Sequence, residues 1–178
     1  MGKTLVLGLG NILLRDEGVG VRAVQRLAER FAFSDDVQVL DGGTLGLDLL
    51  HYVEEADRVL IVDAVATGNP PGTLVRLSGD EVPAFLGIKI SPHQMGLADL
   101  LAASRLRGRF PRELVLVGVE PEIVDTGLEL SPSVAAQMDA LLDRMLAELA
   151  RWGVQPHARR RDAQAENRLA TVGREEGR

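Results

Sequence analysis

The sequence contains no cysteine, and this absence removes several kinds of protein at once. A disulfide framework, a thiolate zinc site and a cysteine nucleophile all require that side chain. Oxygen and imidazole groups are therefore the side-chain ligands left for any metal.

Long apolar runs are also missing from the chain. No stretch approaches the roughly 18 apolar residues of a membrane span, and Met1-Gly2-Lys3 leads into a predicted strand instead of a signal peptide. We therefore expect a soluble, cytoplasmic protein with no membrane partner. A length of 178 residues suits one domain with its own core.

Aromatic residues and positive charge are scarce. Aromatic residues make up 3% of the chain, and its net charge is −6. Residues 155–178 hold six arginines against four acids, so residues 1–154 carry −8. Nucleic-acid binding draws on clustered Lys and Arg, and we expect no nucleic-acid partner. The run Arg159-Arg160-Arg161 lies in a mixed polar tail and is assigned no function.

Short apolar runs alternate with stretches of helical periodicity, which predicts an α/β sandwich of about five mostly parallel strands. The predicted strands are 4–7, 37–40, 58–62, 73–77 and 113–119. Helices are predicted to start at Asp16 and Glu17, to span 45–53, and to start at Ser91 and Ser131. Residues 1–154 form the predicted domain, and the polar tail 155–178 is predicted to be disordered.

None of the familiar ligand-binding motifs is complete in this sequence. The loop Gly8-Leu9-Gly10-Asn11-Ile12-Leu13 resembles a dinucleotide fingerprint, but leucine stands where the third glycine belongs. The sequence has no phosphate-binding P-loop, His-Glu-x-x-His helix or Gly-x-Ser-x-Gly elbow.

Three residues remain that could meet at one rim of the sheet. Ligands of open α/β sheets bind beyond the carboxyl ends of the strands, and Glu17, Asp63 and His93 follow predicted strands or begin a helix. Carboxylate and imidazole groups suit a borderline divalent metal such as nickel or zinc. Structural roles stay open for each, because acids favour the first turn of a helix and an aspartate can close a strand.

The other polar residues near strand ends have ordinary explanations. Asp16 is expected to cap the first helix and Asp41 to bond the amides of its own glycine turn. Glu120 is left undecided. His51 and His157 lack metal-ligand spacing and are expected to be structural or solvated.

Taken in order, the motifs resemble those of the [NiFe]-hydrogenase maturation endopeptidases, which remove a C-terminal peptide from the hydrogenase large subunit. The resemblance covers most of residues 4–150. It rests on Gly8-Leu9-Gly10-Asn11 with Asp16-Glu17-Gly18-Val19-Gly20, Asp41-Gly42-Gly43-Thr44, Val62-Asp63-Ala64, Ser91-Pro92-His93-Gln94 and Gly118-Val119-Glu120-Pro121.

This resemblance implies a three-layer α/β/α sandwich in which one strand is antiparallel, and 73–77 is the candidate. It implies a metal-dependent endopeptidase, of aspartic or metallo type, with Glu17, Asp63 and His93 as catalytic and metal-binding residues. Nickel would arrive inside the large-subunit precursor, and isolated protein could take another divalent metal. A monomer is expected.

Two other functions remain open at this point. A noncatalytic nickel chaperone could use the same three ligands without releasing a product. A dinucleotide-binding module could use the Gly8–Gly10 loop together with Asp41.

Overall fold

The computed structural model describes residues 2–86 and 92–159, apart from the side chains of residues 92–95. Its seven strands are β1 (Thr4–Leu9), β2 (Phe31–Ala32), β3 (Val37–Gly43), β4 (Arg58–Ala64), β5 (Leu74–Ser78), β6 (Glu113–Val119) and β7 (His157–Ala158). Five of them form the main sheet, and β2 pairs with β7 in a small antiparallel ribbon.

The main sheet has the strand order β3-β1-β4-β6-β5. Its first four strands are parallel, whereas β5 runs antiparallel to β6. The predicted mostly parallel sheet is therefore confirmed, as is its single antiparallel strand at the predicted place.

The helices cover both faces of this sheet. They are α1 (Val19–Arg30), α2 (Leu50–Glu55), α3 (Glu81–Leu86), α4 (Pro92–Leu106), α5 (Pro132–Ala135) and α6 (Met138–Arg151), with 3₁₀ turns at Arg15–Gly18 and Gly46–Leu49. None of the helices described is both long enough and apolar enough to cross a bilayer.

Two apolar cores lie on opposite sides of the sheet because successive strand residues point to opposite faces. Val6, Leu60 and Val62 pack with α1 and α6 in one core. Leu7 and Ile61 pack with α2, α3 and α4 in the other. The buried strands read as continuous apolar runs since both faces are covered, and the predicted three-layer sandwich is confirmed.

Element boundaries differ from the predictions at several places, and the helix predicted over 45–53 is a 3₁₀ turn followed by α2. The first helix does not begin at the acids, since a 3₁₀ turn precedes α1. The helix predicted from Ser131 is divided into α5 and α6, because the Gln137 N–H bonds the Val134 carbonyl in a three-residue spacing. No element is predicted at the position of α3. The capping box predicted at Ser91 lies outside the described residues.

The far end of the chain is described only in part. β7 lies within the predicted tail 155–178, and its two residues pair with Phe31 and Ala32. Residues 160–178 lie outside the described residues, so the disorder predicted for them stays a prediction.

Candidate functional site

Glu17 is held at the carboxyl edge of the sheet by the loop between β1 and α1. It is 9% exposed and lies in the 3₁₀ turn Arg15–Gly18. Gly10 has a φ of 116°, and a Cβ there would lie 1.7 Å from the Glu17 carbonyl oxygen. Glycine at position 10 therefore allows the turn to fold back onto the end of β1.

A second glycine brings this turn against the neighbouring strand. A Cβ on Gly20 would lie 2.1 Å from the carbonyl oxygen of Val62 in β4. The start of α1 thus packs directly on the end of β4, and the turn that carries Glu17 contacts the same strand. The motif glycines face the protein's own backbone, which explains them without a bound phosphate.

Asp63 lies at the end of β4 and is 1% exposed. Its Oδ1 accepts a hydrogen bond of 2.8 Å from the Ala64 N–H. Across the sheet it pairs with Gly118 of β6, where a Cβ would lie 2.2 Å from the Asp63 carbonyl oxygen. The fold therefore brings the elements of Glu17 and Asp63 together at one edge.

His93 is in the first turn of α4, and its side chain lies outside the described residues. The backbone of α4 reaches the same edge, because Gly96 approaches Gly46 closely enough that a Cβ on Gly96 would lie 3.0 Å from the Gly46 Cα. Gly10 in turn donates its N–H to the carbonyl of Gly43, three residues before Gly46, at 2.9 Å. Convergence of the three side chains stays a prediction.

Among the side chains described, no group of three or more histidines and acids is arranged to hold a metal ion. That search does not reach His93, so the proposed set of Glu17, Asp63 and His93 is neither supported nor opposed by it. The donor types, two carboxylates and an imidazole, match those that bind nickel or zinc.

Asp16 is not a helix cap, contrary to the prediction. Its carboxylate is fully buried and accepts N–H groups from Glu122, Ile123 and Ser131 at 2.7–3.0 Å. Burial alone would raise the pKa of Asp16, but these hydrogen bonds outweigh burial and hold the pKa below its usual value. Asp16 therefore fastens the loop 121–131 to the turn that carries Glu17.

Glu120, left undecided by the sequence, has the same kind of role on the neighbouring loop. Its carboxylate is 5% exposed and accepts hydrogen bonds from the Thr67 N–H, the Thr67 hydroxyl and the Gly68 N–H at 2.7–2.9 Å. Burial raises the pKa of Glu120, and the donors of Thr67 and Gly68 lower it below its usual value. Glu120 stabilises the loop after β4.

The predictions for the remaining polar residues agree with the structure where it describes them. Asp41 is exposed, and its Oδ1 accepts the Gly43 N–H at 3.1 Å, so it bonds its own turn as expected. His51 and His157 are both exposed. Of the arginine run, Arg159 is exposed, and its two successors lie outside the described residues.

Sequence reasoning missed the connection between the loops 10–14 and 121–131. Arg15 donates its N–H to the Gly127 carbonyl at 3.0 Å, and Gly127 donates to the Leu13 carbonyl at 2.9 Å. Arg15 has a φ of 51°, a conformation that is uncommon outside glycine. A local sequence pattern cannot indicate a contact between segments that lie more than 100 residues apart.

Comparison with known proteins identifies relatives for nearly the whole described chain. A family model described as hydrogenase maturation protease matches residues 21–148. Hydrogenase 2 maturation protease of Escherichia coli is 47% identical over 154 residues, which cover 86% of this chain and 94% of that protein.

Solved structures of hydrogenase maturation proteases are also similar to this chain. The hydrogenase maturating endopeptidase HybD from E. coli has a TM-score of 0.86 and 47% identity, covering 88% of this chain and 98% of that one. The [NiFe] hydrogenase maturation protease HybD from Thermococcus kodakarensis has a TM-score of 0.66 and 32% identity, covering 82% and 97% respectively.

Proposed function

The chain belongs to the hydrogenase maturation protease family, and from this premise we propose that it removes a C-terminal peptide from the nickel-loaded precursor of a [NiFe]-hydrogenase large subunit. The protein is a peptidase of the cytoplasm that acts on a protein substrate. Nickel enters the reaction as part of that substrate and is recognised through Glu17, Asp63 and His93.

The observation that supports this site most directly is the pair of buried carboxylates at one sheet edge. Glu17 and Asp63 are 9% and 1% exposed, and they lie on elements in contact with each other. A divalent cation interacts favourably with two carboxylates at once, because their negative charges add at the same edge of the sheet. Such a pair favours a cationic ligand over an anionic cofactor such as a dinucleotide.

Each proposed ligand has a distinct role in the reaction. Glu17 and Asp63 supply negative charge to the precursor's nickel from fixed backbone positions. His93 binds as a neutral imidazole, and its place in the first turn of α4 favours that form because the helix N-terminus repels a positive charge.

Peptide hydrolysis then follows from positioning. With the nickel seated on these three residues, the scissile peptide lies next to the metal, which can polarise the carbonyl or activate water. No separate general base is assigned. A carboxylate that leaves the metal is the candidate for that role.

The test is to incubate nickel-loaded large-subunit precursor with the wild-type protein and with Glu17→Gln, Asp63→Asn and His93→Ala, following the intact mass of the precursor. We expect shortening by the wild type and a loss of at least about 100-fold in each variant, since each removes a group that acts in the transition state.

Asp80→Asn is the matched control because this carboxylate side chain is 90% exposed and follows β5, whose end lies at the opposite edge of the sheet. The control should process normally. Normal processing by all three site variants would contradict the site assignment, whereas nickel or precursor binding without any product would favour a noncatalytic chaperone.

A further inference from the structure

Exposed apolar side chains are concentrated at the candidate site. Of the seven large hydrophobic residues that are exposed in the described chain, six lie on three loops at the carboxyl edge of the sheet. We call these six residues, which are 42–61% exposed, the apolar rim: Ile12, Leu13, Leu45, Leu47, Val124 and Leu128.

The three loops of the apolar rim are joined by backbone hydrogen bonds. Gly10 donates to the Gly43 carbonyl at 2.9 Å, which links the loop after β1 to the loop after β3. Gly127 donates to Leu13 at 2.9 Å, which links the same loop to residues 121–131. The central loop leads into the turn that carries Glu17, so the rim adjoins the candidate site.

Side chains of α1 and of the 3₁₀ turn before it also fix the backbone of the rim. Asp16 binds three N–H groups of the loop 121–131, and a guanidinium nitrogen of Arg22 donates to the Leu128 carbonyl. The backbone that presents these side chains is thus fixed by specific hydrogen bonds. Exposed apolar side chains grouped on such a frame are typical of a protein-binding site.

The exposed charged side chains on the three loops of the rim are all acidic, whereas the adjoining Arg15 and Arg22 are half-buried and donate to the carbonyls of Glu129 and Leu128. Residues 10–14, 41–49 and 120–131 contain no lysine or arginine. The exposed charged side chains on these loops are Asp41, Asp48, Glu122, Asp125 and Glu129. A complementary surface therefore presents apolar side chains at its centre and basic side chains around them.

We propose that the apolar rim is the docking surface for the large-subunit precursor, which contacts it through apolar residues flanked by lysine or arginine beside its nickel site. This inference rests on the proposed function, because that function brings the precursor's nickel to Glu17 and Asp63, next to the rim. A second copy of this chain is disfavoured as the occupant, since two identical acidic borders would repel each other.

The decisive variant is Leu13→Ser with Leu128→Ser, which removes apolar surface from two adjoining loops without adding charge. Docking contacts bind ground state and transition state alike, so their loss raises KM and leaves kcat in place. We expect a KM for nickel-loaded precursor at least about 10-fold above the wild-type value, with kcat changed less than about two-fold.

Leu106→Ser is the matched control. Leu106, the seventh exposed apolar residue, is 90% exposed and ends α4, away from all three loops. Its kcat and KM should equal those of the wild type, and circular dichroism should show all variants folded.

The outcomes separate the docking inference from the proposed function. If the wild type fails to shorten the precursor, the proposed function is wrong. If the wild type processes normally and the double variant has an unchanged KM, the docking inference is wrong. If the wild type elutes as a dimer that the double variant dissociates, with KM unchanged, the rim binds a second copy and the inference is likewise overturned.

Discussion

Four buried carboxylates lie at the carboxyl edge of the sheet: Asp16, Glu17, Asp63 and Glu120. Asp16 and Glu120 each accept three hydrogen bonds from loop donors at 2.7–3.0 Å, and they hold those loops in place. Glu17 and Asp63 match the motif positions of the proposed metal ligands. Asp16 therefore anchors a loop, whereas its neighbour Glu17 is proposed as a metal ligand.

Local sequence rules cannot distinguish Asp16 from Glu17. Both stand before a helix, where either could act as a cap or interact with the helix dipole. The role of Asp16 depends on the loop 121–131, more than 100 positions away. The order of the motifs does identify Glu17 and Asp63 as candidates, but their burial follows only from the fold.

Replacing Asp16 tests the anchor role. Asp16→Asn keeps the shape but replaces a carboxylate that accepts three N–H groups with an amide that has one acceptor oxygen. We expect the free energy of unfolding to fall by about 2–3 kcal/mol, since hydrogen bonds to charged groups are the stronger kind. Urea unfolding at pH 7 measures the change, with Asp80→Asn as a control expected within about 0.5 kcal/mol of wild type.

The difference in the free energy of unfolding between wild type and Asp16→Asn should depend on pH. Because the pKa of Asp16 is lower in the folded protein than its usual 3.8, its contribution is fully present above that value and is lost as the pH falls through the folded pKa. The gap in stability between wild type and Asp16→Asn should therefore narrow below about pH 4. A gap that stays constant down to about pH 2 would contradict the assignment.

A charged pair attaches the antiparallel strand to the last helix. Arg76 of β5 donates from Nε and Nη2 to the two carboxylate oxygens of Glu148 in α6, at 2.7 and 3.0 Å. The Glu148 side chain is 4% exposed, and the hydrogen bonds from Arg76 hold its pKa below the usual value. The arginine that interrupts the apolar pattern of β5 is thus explained by this contact.

Breaking that pair should destabilise the protein, while replacing both partners should not. Arg76→Met leaves Glu148 buried without its main partner, and we expect a loss of about 3 kcal/mol in the free energy of unfolding. Arg76→Met with Glu148→Met should lie within about 1 kcal/mol of wild type. Chemical unfolding at pH 7 compares the variants, and a double variant no more stable than Arg76→Met would count against the explanation.

The sequence around the start of α3 contains one signal for a helix start and others for a turn. Ser78 and Glu81 have the spacing of a capping box, and the Ser78 N–H donates to Glu81 Oε2 at 2.9 Å. The intervening Gly79 and Asp80 suggest a turn, and Pro83 discourages a helix assignment. The start of α1 differs from the prediction for another reason, because the close approach of Gly10 to Glu17 requires the folded loop.

For the molecule as a whole, the sheet could be predicted because buried parallel strands produce apolar runs of recognisable length. The ends of those runs, Asp63 among them, are expected at one shared edge of a parallel sheet on sequence grounds alone. The apolar rim could not be predicted, since exposed leucines such as Leu13 and Leu128 look like core residues in a sequence. Only the fold shows that these residues face outward beside the candidate site.

The proposed function requires that the protein shorten a large-subunit precursor and recognise the nickel in it. The most direct measurement is the intact mass of the precursor over time, with wild-type protein and either nickel-loaded or nickel-free precursor. We expect loss of the C-terminal peptide from the loaded precursor and no shortening of the nickel-free one. Equal shortening of both precursors, or an unchanged loaded precursor, would contradict the proposed function.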